Sequence, residues 1–144
     1  MIVLDTDHMS LLERPTNPVS ERLRDKLSDI GPEGRCTTII SYEEQVRGWT
    51  AYLSKARTVA QLIENYRRLR IQLENYCVIE ILEFDELAAT RYQELRRQGI
   101  KVGSMDLRIT AIVLARNATL LSRNLKDFRK VPGLRVEDWT KVSS

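Results

Sequence analysis

Short β-branched runs alternate along this chain with longer amphipathic stretches, and that alternation restricts the fold more than any other feature. Cys36-Thr37-Thr38-Ile39-Ile40 is an uninterrupted run of this kind, as expected of a strand covered on both faces. Residues 1–4, 78–82 and 119–122 read as further strands, and 134–136 as a short edge strand. Between them lie helical patterns. Asp7 is predicted to cap a short helix that reaches Glu13 and stops before Pro15. A second helix follows Pro18 with Val19, Leu23, Leu27 and Ile30 as its apolar stripe, closed by Gly31-Pro32. Ser41 is predicted to cap a third helix, with Glu44 at capping-box spacing. Val59, Leu62, Ile63, Tyr66, Leu69 and Leu73 mark a long amphipathic helix. Residues 85–98 form another, with Gly99 suited to the position after its end. The helix opened by Ser104 is apolar on most sides and therefore central. Parallel strands require crossover helices, so the predicted fold is a three-layer α/β/α domain around a mostly parallel sheet of four to five strands.

The chain has 144 residues and no repeat or linker that divides it, so residues 1–144 are expected to form one domain. Its one histidine, His8, and its two cysteines, Cys36 and Cys77, form no zinc-binding pattern. Both cysteines begin apolar runs and are expected to be buried free thiols in a reducing compartment. No apolar run approaches the length of a membrane span, so a cytoplasmic protein without membrane contact is expected. The net charge of +3 suits a polyanionic partner without requiring one.

Three carboxylates occupy related positions. Asp5 follows the first strand, Glu44 lies at the start of the helix after the second, and Asp106 opens the apolar helix after Gly103-Ser104. In an open parallel sheet, the carboxyl ends of the strands and the nearby helix starts form one rim, where ligands bind. Acids at helix starts also serve the macrodipole, and Glu44 can serve a capping box; their joint placement at the rim is what favours a site. Converging carboxylates repel one another unless a cation holds them. A hard ion such as Mg²⁺ or Mn²⁺ is the natural counter-charge, and the chemistry it supports on oxygen ligands is phosphodiester hydrolysis.

At these residues the sequence resembles the PIN-domain family, and within it the VapC toxins of bacterial toxin–antitoxin pairs. The opening Ile2-Val3-Leu4-Asp5-Thr6-Asp7-His8, the segment Ile40-Ser41-Tyr42-Glu43-Glu44-Gln45-Val46-Arg47-Gly48, the segment Val102-Gly103-Ser104-Met105-Asp106-Leu107, and Leu121-Ser122-Arg123-Asn124-Leu125-Lys126-Asp127-Phe128 follow the family's motifs in order. Their register selects Glu44 over Glu43. The resemblance implies a PIN-like fold and a Mg²⁺- or Mn²⁺-dependent endoribonuclease, usually a homodimer, held in check by a VapB-like antitoxin. It implies Asp5, Glu44 and Asp106 as metal ligands. The family's fourth acid falls on Asn124 here, and Asp127, three residues on, is the candidate to assist catalysis. Thr6, Ser122, Asn124, Arg108 and Arg123 are candidates to contact the acids or the RNA, while Asp7 and His8 read as structural residues of a helix start. Trp49, Tyr52 and Tyr66 are expected in core or dimer packing.

Three other readings share these features. The chain can be a weak nuclease that acts with its antitoxin as a repressor complex, or it can cut DNA. It can also be a phosphate-receiving domain, which the end of the third strand at Leu82-Glu83 disfavours.

Overall fold

The computed structural model describes residues 1–14 and 16–141. Its strands are β1 (Ile2–Leu4), β2 (Arg35–Thr38), β3 (Glu80–Leu82), β4 (Thr119–Leu121) and β5 (Arg135–Glu137). Its helices are α1 (Thr6–Glu13), α2 (Pro18–Ile30), α3 (Ile39–Lys55), α4 (Val59–Cys77), α5 (Glu86–Arg97), α6 (Ser104–Ala115) and α7 (Leu125–Phe128). The five strands form one sheet in the order β3-β2-β1-β4-β5. Every pairing is parallel, with Val3 opposite Cys36 on one side and Leu120 on the other.

The period of two along each strand divides the core into layers. Val3, Cys36, Leu82 and Leu120 face Ala88 of α5 and Ile109, Ile112 and Val113 of α6. Leu4 and Leu121 face the opposite way, onto Met9 and Leu11 of α1, Leu23 and Leu27 of α2 and Tyr76 of α4. Helices thus cover both faces of the sheet, as the alternation of the sequence requires. Helix α6 is buried along most of its length, from Leu107 to Val113. Among the described residues, no helix is long and apolar enough to cross a membrane.

Several local expectations change. The second strand stops at Thr38, whose Oγ1 accepts a hydrogen bond from the Ser41 N–H at 3.1 Å and so caps α3. Ile39 and Ile40 are helical, Ser41 is inside the helix, and Glu44 stands in its second turn, free of any capping-box duty. Asp5, not Asp7, caps α1. β3 begins at Glu80, leaving Val78 exposed. Cys36 is buried, and burial pushes its thiol up to about 11. Cys77, expected to be buried, ends α4 on the surface.

Candidate active site

β1 and β4 are neighbours in the sheet, and the chain leaves them toward opposite faces: α1 packs on one core layer, while Phe128 of α7 packs on the other. A crevice opens where strand order reverses in this way. Two residues stand at its base, one just past each strand. The Asp5 N–H continues the ladder to Leu121 O at 2.9 Å, and the Ser122 N–H bonds Glu137 O at 2.9 Å. Their side chains meet: Ser122 Oγ donates to Asp5 Oδ2 at 2.7 Å. Asp5 Oδ1 accepts from the Thr6 N–H at 2.8 Å, so one carboxylate caps α1 and faces the crevice.

A cavity of about 820 Å³ extends from this point. Asp5, Glu44 and Asp106 share its wall with Thr6, Asp7 and Asn124. Thr6 Oγ1 donates to Glu44 Oε1 at 3.3 Å, tying α1 to α3. Burial, reinforced by the charge of Asp7, pushes Asp5 up to about 7. Glu44 and Asp106 are both raised, chiefly by burial, then by the charge of Asp106 on Glu44 and of Asp127 on Asp106. These carboxyls share a partly desolvated space in which neighbouring negative charge opposes ionisation.

The donor set fits a hard cation, since its groups are oxygen donors whose mutual repulsion a cation relieves. Among the described residues, no three His, Cys, Asp or Glu side chains close into a ready-made metal cluster.

The PIN domain matches residues 2–134 of the sequence. The chain belongs to the PIN-domain family. Within that family its similarity runs to VapC proteins. It is 35% identical over 82 residues to Ribonuclease VapC2 of Rickettsia felis, a match covering 54% of this chain and 59% of that protein. It is 32% identical over 94 residues to the tRNA(fMet)-specific endonuclease VapC of Shigella flexneri, covering 58% of this chain and 71% of that one. Its fold superposes on the DNA-bound VapBC of Salmonella typhimurium with a TM-score of 0.75 at 25% identity, covering 96% of this chain and 97% of the other.

The PIN domain brings most of the sequence candidates together and leaves others apart. Thr6, Ser122 and Asn124 lie at the carboxylates. Asp127 stays outside the cavity wall, where it accepts from Asn124 Nδ2 at 3.1 Å and pairs with Lys130 at 3.2 Å. Those hydrogen bonds hold its carboxyl below the usual range. It reaches the site through its charge on Asp106. Arg108 turns its Nη1 to Met105 Sδ and does not line the cavity. Arg123 contributes its backbone: its N–H donates to Asp7 Oδ2 at 2.9 Å.

Two features of the site were not singled out from the sequence. Asp7 lines the cavity, although its place in the first turn of α1 gave it the look of a cap. Glu13, at the other end of α1, lies at the far part of the cavity, where burial pushes it up to about 7. It accepts from Gln45 Nε2, and Gln45 Oε1 accepts from the buried Tyr76 hydroxyl. The spacing from Asp5 to Glu13 on one amphipathic helix was the signal available. Trp49 and Tyr52, expected in packing, also line this end, with ring centroids 5.3 Å apart and Arg68 over Trp49.

Proposed function

We propose that this chain is an endoribonuclease of the VapC type, the toxin of a toxin–antitoxin pair, and that its cleavage of RNA depends on Mg²⁺ or Mn²⁺. The observation that carries this reading is the convergence of Asp5, Glu44 and Asp106 on one cavity at the switch point of the sheet. The names of its VapC relatives support the ribonuclease class. Residues 1–144 are read as a single PIN domain, and the substrate as RNA.

In this reading Asp5, Glu44 and Asp106 hold the cation. When bound, the ion polarises a phosphodiester and neutralises developing charge. The protein orients the rest. Ser122 and the Thr6 N–H fix the plane of the Asp5 carboxylate, and Thr6 Oγ1 steadies Glu44. Asn124 offers an uncharged polar edge to the substrate at the cavity wall. Trp49 and Tyr52 offer faces on which a base can stack at the far end.

Two partners belong to the same reading. A VapB-like antitoxin is supported by the VapBC complex among the structural neighbours. A second copy of the chain fits the stripe Val59, Ile63, Tyr66 and Leu73 on α4, all exposed. The alternative reading, a weak nuclease that acts with its antitoxin as a DNA-binding repressor complex, draws on the DNA-bound state of the Salmonella VapBC, which bears on DNA binding by that pair and not on its catalytic strength.

The test is cleavage of total RNA by the purified chain with Mg²⁺, with chelator, and with Asp5→Ala and Asp106→Ala. Cleavage is expected only for wild type with the ion. Undiminished cleavage by both folded variants sinks the site assignment, and an inactive wild type favours the repressor reading.

A further inference from the structure

Asp7 and His8 are consecutive residues of α1, yet their side chains meet, with Nδ1 of His8 2.8 Å from Asp7 Oδ1. Neighbours in sequence do not normally face each other on a helix, so this contact needs an outside constraint. His8 is completely buried, and its other nitrogen, Nε2, lies 3.3 Å from the backbone N–H of Trp139. A backbone N–H only donates. Nε2 therefore accepts, the ring proton sits on Nδ1, and His8 donates to Asp7. The other oxygen of Asp7, Oδ2, accepts from the Arg123 N–H at 2.9 Å. Asp7 is thus gripped from the C-terminal segment through His8 and from the β4–α7 connection through Arg123.

The helix does not account for this grip, because Asp5 already caps α1. What Asp7 gains is a fixed orientation at the cavity wall, one-third exposed, beside the Ser122–Asp5 pair. The nearby wall residue, Asn124, carries no charge and turns its amide to Asp127.

We propose that Asp7 is a fourth carboxylate of the cation site and that His8 is the positioning residue that aims it. The inference rests on the cation-dependent reading of the site. It makes the site's charge depend on α1 twice, at Asp5 and Asp7, and couples it to the C-terminal segment through Trp139.

The test is Mn²⁺ binding by calorimetry, without RNA and at fixed pH, on variants whose fold is checked by circular dichroism. Asp7→Asn is expected to weaken Mn²⁺ binding by about tenfold or more. Adding Asn124→Asp to that variant returns a charge to the same wall and is expected to restore most of the loss. His8→Leu should weaken binding like Asp7→Asn, whereas His8→Asn, whose amide can replace the Nδ1 donor, should keep most of it. Nitrogen NMR of the wild-type chain should show the Nδ1-protonated tautomer, a readout that does not depend on any variant folding. Asp7→Asn binding Mn²⁺ within twofold of wild type overturns the proposal, as does the opposite tautomer. Wild type that binds Mn²⁺ but cuts no RNA defeats the nuclease reading and leaves this inference standing.

Discussion

Two carboxyls at the ends of α1, the capping Asp5 and the last residue Glu13, are each held up to about 7 by burial, but the surroundings differ. Asp5 is surrounded by other acids, Asp7 and Asp106 among them. Glu13 rests on amides, with Gln45 at 3.3 Å from both its oxygens. A carboxyl raised from an ordinary 4.5 favours the protonated fold, so its contribution is best below 4.5 and is lost as pH rises to about 7. Glu13→Gln keeps an acceptor for Gln45 and removes the titration. Its melting temperature should match wild type near pH 4.5 and exceed it at pH 8, where the stability difference is on the order of 2 kcal/mol. Thermal unfolding at the two pH values checks this, and equal differences at both would refute it.

At the scale of elements, α4 shows how a hydrophobic stripe can mislead. Its apolar residues recur at helical spacing, as a core-facing helix should, yet Val59, Ile63 and Tyr66 are exposed by 72%, 66% and 59%. The side chains it buries fully are Gln72 and Tyr76. Periodicity identifies a helix and a face, but not what covers the face. If that face receives a second copy, Ile63→Glu places a charge in the interface and should yield a monomer by light scattering, with secondary structure unchanged. A dimer that persists in the variant would place the contact elsewhere. α3 has the opposite history. Its start moved from Ser41 to Ile39 because the Thr38 hydroxyl was free to cap it, and that shift removed the structural explanation for Glu44.

Over the whole molecule, acids converge at the crevice while the net charge is +3; Arg14 and Arg68 line the same cavity, and the remaining positive charge lies outside it. Arg123, in the connection after β4, and Lys126, in α7, are exposed. Lys130 is paired with Asp127 and has less to offer a phosphate. Neutralising Arg123 and Lys126 together should lower RNA affinity and reduce the salt dependence of binding by about one unit of log slope per lost phosphate contact. Filter binding across a salt series measures this, and an unchanged slope would assign RNA contact to another surface.

Much of the fold was legible because its determinants are local or periodic. The β-branched run at residues 36–40 marked the second strand, although Ile39 and Ile40 begin α3 instead, and the alternation with helices requires a parallel, covered sheet. That Asp5, Glu44 and Asp106 share one cavity wall was legible from their places just after β1, near the start of α3 and in the first turn of α6. The boundaries near Thr38 and the exposure of Cys77 were not, because each depends on which neighbour satisfies a backbone group or covers a surface. Nor were the positions of Asp7, Arg108 and Asp127 relative to the cavity. Chain order and the ends of the strands set which acids can come to the rim. Which of them face the cavity depends on how the folded elements pack. That choice rests on contacts distant in sequence: the Ser122 hydroxyl on Asp5, the Arg123 N–H on Asp7, and the Trp139 N–H on His8.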